Sequence, residues 1–169
     1  NMNWKEFAKR QDSLPNTTAK GNDFEKLVKI YLTKSPNFPQ LKQAWLIDDL
    51  PERIRKKLNH PTRDMGIDIV CEEKDGGFWA VQAKYDKNHS KKSTLGLLSS
   101  TFALTWGLGT FKHLCACTTH NGFVKVIEKF RKKHSISFIQ GDTWRNLEDI
   151  YFDILNGKAE DVTLEPFKP

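Results

Sequence analysis

The sequence predicts an α/β fold in which helices flank a mixed β-sheet. Apolar residues recur at helical spacing near the start, three short β-forming runs follow, and helical and strand patterns alternate from there on. The predicted order is helix, three strands, helix, strand, helix, strand and helix. With 169 residues, of which 38% are hydrophobic, the chain is long enough to bury one substantial core.

The balance of charges and the number of cysteines narrow the class of protein. Lysine and arginine number 27 against 21 acidic residues, giving a net charge of +6 that is typical of nucleic-acid binders. No apolar run approaches the ~20 residues that a membrane span needs, and no signal peptide is recognised. Three cysteines argue against a disulfide framework and for a reducing compartment. We therefore expect a cytoplasmic protein.

Two helices are predicted at the start of the chain. Residues 3–10 suit a short helix, and residues 12–19 suit a loop. A longer amphipathic helix then begins at Asn22, a suitable N-cap, and ends at Ser35 and Pro36. Its apolar stripe follows the spacing i, i+3, i+4, i+7 and i+8, and comprises Phe24, Leu27, Val28, Tyr31 and Leu32.

A first strand, predicted over residues 43–47, leads into another short helix. We expect that helix to be capped by Asp49, with Pro51 in its first turn. Residues 60–64 then form a loop, in which Asp64 is interpreted as a turn residue rather than a functional acid.

A hairpin within residues 64–84 carries the strongest functional signal. Two β-forming runs, over residues 67–73 and 78–83, surround a short glycine-containing turn. Three polar side chains, Asp68, Gln82 and Lys84, lie on strands otherwise built for burial. Burying a neutral amide without a partner costs roughly 2–7 kcal/mol, and a charge costs more. Three such groups in one hairpin therefore indicate a functional site.

The turn determines which face these groups share. If residues 74–76 form a three-residue loop, Gly76 takes the left-handed conformation that closes it. Counting back along both strands then places Asp68 directly opposite Gln82, and alternation places Lys84 on the same face. A two-residue turn would instead put Asp68 on the other face. We predict the three-residue loop.

Helices and strands alternate after the hairpin. The apolar pattern of residues 113–119 is typical of a buried parallel strand. The remaining predicted elements are a helix over 93–104, a helix over 123–133, a strand over 136–140, and one helix that begins at 141 and closes at Asn156 and Gly157.

A cysteine and histidine cluster in the 113–119 strand offers a zinc alternative. The candidates are His113, Cys115, Cys117 and His120. However, Cys-x-Cys lacks the usual spacing of zinc ligands, and alternation puts both thiols on one face of a core strand. We predict buried core thiols.

The hairpin resembles the PD-(D/E)xK nucleases, in which an Asp ends one strand and the partner strand carries the acid-x-Lys pair. Here these are Asp68 and Gln82-Ala83-Lys84, and Gln in place of the acid is similar to the Mrr branch. The flanking segments 66–69 and 81–85, and the helix segment 21–28, agree with the pattern. Segments 2–7 and 12–15 resemble the N-terminus of single-chain type ISP restriction-modification enzymes.

The resemblance implies a restriction-endonuclease-like αβββαβ core and metal-dependent cleavage of double-stranded DNA. Asp68, the side-chain carbonyl of Gln82 and the backbone carbonyl of Ala83 would hold Mg²⁺, or alternatively Mn²⁺. Lys84 would orient or deprotonate the attacking water and offset charge on the phosphate. Gln82 removes one negative charge from the usual set, which leaves the number of metal ions open.

Glu25 has two interpretations. On the helix surface it would form an exposed pair with Lys29, worth a few tenths of a kcal/mol. In the resembled family an acid on this helix reaches the metal, and Glu25 would then join the catalytic residues.

Candidate DNA contacts lie next to the hairpin and beyond the fourth strand. The basic side chains that follow the hairpin are predicted to contact phosphates. For a second basic run within residues 53–57, DNA contact and a solvated surface both stay open. Thr119 and Asn121 end a strand where α/β sheets present ligand contacts, although a plain turn is the alternative. The basic residues after the hairpin are Lys87, His89, Lys91 and Lys92.

The resemblance also implies partners. In the resembled enzymes such a domain precedes an ATP-driven DNA translocase, a methyltransferase and target-recognition parts of one polypeptide. This chain has no P-loop and no methyltransferase motif. We therefore expect a single nuclease domain over 1–169, excised from a longer chain, with ATP acting only through the translocase and two nuclease domains pairing transiently.

The sequence is also compatible with three other functions. The first is a catalytically inactive DNA-binding module of the same fold, and the second is a junction-resolving nuclease. The third is a basic α/β domain whose polar hairpin groups merely satisfy one another.

Overall fold

The structure, a computed structural model, describes residues 2–15, 17–88, 105, 107–122 and 135–159. The helices predicted over 93–104 and 123–133 lie outside the described residues. The described helices are α1 (Trp4–Asp12), α2 (Thr17–Lys34), α3 (Glu52–Lys57), α4 (Gly141–Arg145) and α5 (Asp149–Leu155). The strands are β1 (Leu41–Leu46), β2 (Ile69–Glu73), β3 (Phe78–Lys84), β4 (His113–Thr118) and β5 (Ile136–Ile139).

The five strands form one mixed sheet in the order β1-β2-β3-β4-β5. Strand β2 pairs antiparallel with both β1 and β3, whereas β4 runs parallel to both β3 and β5. Helices flank this sheet, so the predicted fold class is confirmed. The prediction that β4 is a buried parallel strand is confirmed as well.

The β2–β3 hairpin has the predicted register. Ile69 pairs with Val81, and the backbone N–H of Glu73 donates to Gly77 at 2.8 Å. Gly76 has φ of 96°, a left-handed conformation that glycine adopts without a steric penalty. The three-residue loop is therefore confirmed. Extending the ladder by one pair places residue 68 opposite residue 82.

The sheet separates two apolar clusters. Helices α1, α2, α4 and α5 contribute to the first, which includes Phe7, Phe24 and Trp144. The second contains Ile54 and Leu114 and lies on the opposite face. Full burial of such side chains stabilises the fold by roughly 1.5–3 kcal/mol each.

Two predicted helix caps are wrong. Helix α2 begins at Thr17, so Asn22 lies inside the helix and does not cap it; the apolar stripe starts only at Phe24 and reveals nothing about the preceding polar turn. Asp49 ends a 3₁₀ turn instead of capping α3, because Leu50 is extended before Pro51.

The last predicted helix is two helices. Helix α4 ends at Arg145, and Glu148 is extended, with φ of −65° and ψ of 147°, before α5 begins. Apolar periodicity continues across this break, so the sequence pattern did not reveal it. Gly157 follows the second helix in a left-handed conformation, as predicted.

The cysteines are core thiols, as predicted. All three are free and buried, and the sulfurs of Cys115 and Cys117 are 3.7 Å apart on one face of β4. Burial raises the pKa of the Cys117 thiol well above its usual value. His113 contacts two serine hydroxyls and His120 contacts Asp86, so these histidines do not join the thiols. Within the described ranges, no helix is long and apolar enough to cross a membrane.

Candidate active site

A cavity of about 500 Å³ opens beside the end of β3. It collects side chains from four separate parts of the chain: α2, the 3₁₀ turn after β1, the turn that precedes β2, and the end of β3. The residues that line it are Gly21, Asn22, Glu25, Asp48, Arg63, Gly66, Asp68, Gln82, Ala83, Lys84 and Tyr85.

Asp68 is fixed at the end of the hairpin ladder. Its Oδ2 accepts a hydrogen bond of 2.9 Å from the backbone N–H of Ala83, and its Oδ1 accepts one of 3.1 Å from Arg63. Burial raises the pKa of Asp68 to about 7, and the nearby Glu25 adds to the rise, while the Ala83 N–H and the Arg63 charge oppose it. The site therefore holds this carboxylate at a desolvation cost, which is common where a group has a chemical task.

Gln82 lines the cavity, and the Oε1 atom of its side chain is buried. Among the described residues, its Oε1 has no hydrogen-bond partner. Leaving a buried acceptor unsatisfied costs roughly 1–3 kcal/mol. An amide oxygen beside a carboxylate is a ligand type that Mg²⁺ and Ca²⁺ prefer. The unpaired oxygen is therefore consistent with a divalent cation at this position.

Glu25 faces the site and not the solvent. It is 6% exposed, and its Oε1 accepts a hydrogen bond of 2.5 Å from Arg63. The interpretation as an exposed pair with Lys29 is therefore wrong. The three-dimensional arrangement brings the α2 carboxylate to the cavity that Asp68 lines, across 43 positions of the sequence.

Lys84 occupies the exposed end of β3 and lines the same cavity. No ion pair joins its ammonium group to another of the residues that the structure describes. The alternation of β3 places Gln82 and Lys84 on one face, as predicted from the register.

Sequence reasoning missed Arg63 and Asp48. Arg63 donates through Nη1 to both Glu25 and Asp68, and through Nη2 to Asp48 at 3.1 Å. Both missed residues lie in short 3₁₀ turns, which have no periodicity to reveal a side chain's direction. The one available signal was chemical: two buried acids need a nearby cation, and Arg63 lies five positions before Asp68.

The predicted DNA contacts differ in accessibility. Lys87 and Asn121 are exposed, whereas Thr119 is 1% exposed. The Thr119 hydroxyl donates to the backbone carbonyl of Asp86 at 2.9 Å and accepts from its N–H at 2.8 Å, so it ties two strand ends together. The Thr119 hydroxyl is therefore buried and already bonded, which does not support a DNA contact by this residue. The remaining predicted contacts, His89, Lys91 and Lys92, lie outside the described residues.

The second basic run has structural contacts. Arg55 donates to the carbonyls of Pro61 and Ile47, and the ammonium of Lys57 lies 5.4 Å from the ring centroid of Phe78. These contacts account for two of its cations without nucleic acid.

A metal ion in this cavity would need ligands besides carboxylate, histidine and cysteine side chains. In the described part of the chain, no group of three or more His, Cys, Asp or Glu side chains is arranged to hold a metal. A cation here would therefore depend on amide and backbone carbonyl oxygens beside the carboxylates. The unpaired oxygen of Gln82 supplies the first of these.

Known proteins resemble this chain in sequence and in fold. Residues 34–157 match a restriction endonuclease family of the Mrr catalytic type. No curated protein matches the chain. The MspJI restriction endonuclease, solved in complex with a 27-mer oligonucleotide, has a TM-score of 0.56 at 12% identity, covering 98% of this chain and 37% of that chain. At that identity the likeness shows the fold alone.

A second solved structure is a protein of unknown function, AF1548. It is 22% identical over 53% of this chain and 46% of that chain, with a TM-score of 0.37. This chain therefore spans less than half the length of either solved protein.

The family match runs from the last residue of α2 through α5, and it includes the whole hairpin that carries Asp68, Gln82 and Lys84. Restriction endonuclease domains generally use divalent metal ions, and the match supports DNA nuclease activity. Because the matched residues make up most of the chain, and the fold agrees, the chain belongs to the Mrr-type restriction endonuclease family of the PD-(D/E)xK superfamily.

Proposed function

We propose that this chain is an Mg²⁺-dependent endonuclease domain that hydrolyses phosphodiester bonds of double-stranded DNA in a restriction-modification system. One observation carries the proposal. Asp68, Gln82, Lys84 and Glu25 come together in a single cavity, where the oxygen of Gln82 has no partner among the described residues. Their convergence is what the chemistry of phosphodiester cleavage requires.

The oxygen atoms that would hold the ion are hard ligands. Asp68 and Glu25 supply carboxylates, Gln82 supplies its side-chain carbonyl, and Ala83 supplies its backbone carbonyl. When bound, the ion supplies a Lewis acid for the phosphate and lowers the pKa of water. Mn²⁺ is the alternative cofactor, since it accepts the same oxygen ligands.

The chain's own residues have separate tasks. The Ala83 N–H fixes the orientation of the Asp68 carboxylate. Lys84, at the exposed end of β3, places a positive charge where the phosphate gains negative charge, and it can orient or deprotonate the attacking water. The exposed Lys87 and Asn121 would contact the DNA backbone.

The wider context is part of the proposal. We place the domain at the N-terminus of a longer type ISP-like polypeptide, whose translocase uses ATP and delivers DNA to the nuclease. Transient pairing of two such domains would allow both strands to be cut. The free, buried cysteines support a cytoplasmic location.

A plasmid nicking assay tests the proposal. Supercoiled plasmid is incubated with the chain in Mg²⁺, in Mn²⁺ and in excess chelator, and nicked and linear products are measured. We expect cleavage only with a metal, and losses of at least ~100-fold in Asp68→Ala and Lys84→Ala. The matched controls Asp49→Ala and Lys5→Ala change exposed residues outside the cavity and should cleave normally. Cleavage that persists in chelator, or in both site variants, contradicts the proposal.

A catalytically inactive DNA-binding module is the second candidate. Two observations favour it: Gln82 replaces the usual acid, and Arg63 already binds the two carboxylates. It predicts salt-dependent DNA binding without nicking at any metal concentration. The same assay with a branched substrate tests the junction-resolving alternative, which predicts preferential cutting at the branch.

A further inference from the structure

Arg63 is bonded to the two carboxylates that line the floor of the cavity. Its Nη1 lies 2.5 Å from Glu25 Oε1 and 3.1 Å from Asp68 Oδ1. One nitrogen of the guanidinium thus lies between the acids that would bind a metal. Two neighbouring carboxylates in a buried site repel each other unless a cation is present. In this structure, Arg63 supplies that cation.

The arginine and a metal would use the same atoms. Asp68 Oδ2 is already bonded to the Ala83 N–H at 2.9 Å, so Oδ1 is the oxygen that faces the arginine. The carboxylate of Glu25 is likewise bonded to Nη1. Gln82 lines the same cavity, and its Oε1 has no hydrogen-bond partner among the residues that the structure describes. A cation that accepts oxygen ligands would satisfy all three groups, whereas Arg63 satisfies two.

Of the three side chains Arg63, Glu25 and Asp68, that of Arg63 is the one that can move out of the cavity. Its side chain is 40% exposed, whereas those of Glu25 and Asp68 are 8% and 13% exposed. It stands on a short 3₁₀ turn that ends at Gly66, while the acids are held by α2 and by the hairpin. Its second nitrogen bonds Asp48, whose side chain is 77% exposed, so an anionic partner toward the solvent is available.

From these contacts we infer that Arg63 is a resident counter-cation that competes with the divalent metal, so that metal binding displaces its guanidinium from Glu25 and Asp68. The inference rests on the proposed function for the identity of the competing ion. It explains how the site keeps two acids together before the metal arrives, and it predicts that Arg63 weakens metal affinity.

Calorimetry with Mn²⁺ alone, without DNA, tests the competition. The full chain, the Arg63→Gln variant and the Arg10→Gln variant are titrated under identical conditions. Arg10 is exposed and bonds Asn156 away from the cavity, so its loss matches the change in net charge. We expect Arg63→Gln to bind Mn²⁺ roughly tenfold more tightly, a difference of about 1.4 kcal/mol. Arg10→Gln should bind like the unaltered chain.

A second measurement uses the unaltered protein and so does not depend on the folding of a variant. In NMR spectra, the side-chain Nε–H signal of Arg63, identified by its absence in Arg63→Gln or Arg63→Lys, is followed while Mg²⁺ is added. Diamagnetic Mg²⁺ avoids paramagnetic broadening. We expect this signal to shift in proportion to metal binding, while that of Arg10 stays in place.

The outcomes separate this inference from the proposed function. If the unaltered chain binds metal while the Arg63 signal stays constant, or if Arg63→Gln binds no more tightly, competition is refuted and the nuclease proposal stands. If neither the unaltered chain nor Arg63→Gln binds either metal, and the Gln82→Glu variant does not, the metal-dependent function fails and this inference fails with it.

Discussion

Asp68 and Gln82 lie opposite each other because a three-residue loop, closed by Gly76, joins β2 to β3. One residue fewer in the loop would turn Asp68 to the other face of the sheet, since side chains alternate along a strand. The geometry of the candidate active site therefore depends on a turn more than 10 Å along the strands from the cavity, at ~3.4 Å per residue.

Replacing Gly76 tests this dependence. Gly76→Ala forces a side chain into a left-handed conformation, and we expect the free energy of unfolding to fall by about 1–2 kcal/mol. Urea denaturation measures the change. Gly21→Ala is the matched control, because Gly21 lies in helix α2 with open space for a methyl group; there the substitution should stabilise by up to ~1 kcal/mol. Equal effects at both positions would argue against a conformational origin.

The charge of Gln82 tests the identity of the metal ligands. Gln82→Glu adds a carboxylate where the wider PD-(D/E)xK pattern has its acid, so we expect cleavage to persist and the Mg²⁺ concentration for half-maximal rate to fall severalfold. Gln82→Ala removes the oxygen and should slow cleavage by about 10- to 100-fold, less than the loss from Asp68→Ala. Nicking rates over a series of Mg²⁺ concentrations measure both. A Gln82→Glu variant that needs more Mg²⁺ than the unaltered chain would count against Gln82 as a ligand.

The raised pKa of Asp68 predicts a pH-dependent stability. Unfolded Asp68 ionises near pH 4, whereas in the folded protein it holds its proton until about pH 7. Its contribution to stability is therefore fully present below pH 4, is lost as the pH rises from 4 to 7, and stays absent above that. Asp68→Asn removes the charge at nearly constant volume and keeps an acceptor for the Ala83 N–H. The variant should gain on the order of 1–3 kcal/mol at pH 8 and little at pH 4.

Chemical denaturation in chelator at pH 4, 6 and 8 measures that gain. Asp48→Asn, which alters the exposed partner of the same arginine, should change stability by less than ~1 kcal/mol at each pH. If the unaltered chain is more stable than Asp68→Asn at pH 8, the burial cost assigned to this carboxylate is wrong.

A buried cluster at the turn end of the hairpin offers a stability test that is separate from catalysis. Glu73 Oε1 accepts from the indole N–H of Trp79 at 2.7 Å, and Oε2 accepts from Lys112 at 2.6 Å. Glu73→Ala leaves the indole N–H without this acceptor and should cost about 1–3 kcal/mol. Glu73→Gln keeps an acceptor and should cost less. Urea denaturation gives the stability, and nicking at 25 °C, where both variants stay folded, should proceed at the unaltered rate.

The local pattern of the chain determined the hairpin and much of the fold. The turn predicted the pairing of β2 with β3, and alternation predicted the shared face of Gln82 and Lys84. The apolar run predicted the buried strand β4. Each of these signals lies within a few consecutive residues. The starts of helices were less predictable. Helix α2 begins a full turn before Asn22. The apolar pattern did not reveal this start, because the first residues of the helix lie outside the apolar stripe. The break between α4 and α5 likewise has no local signal in the apolar pattern.

By itself, the sequence determined the hairpin with its three polar groups, and the resemblance that those groups carry. Only the tertiary structure decided that Glu25 is buried at the cavity, that Thr119 is committed to Asp86, and that Arg63 joins the two acids. The physical reason is the range of the interactions. Strand alternation and turns act over a few residues, whereas the Arg63–Glu25 bond spans 38 positions and exists only because α2 packs against the sheet.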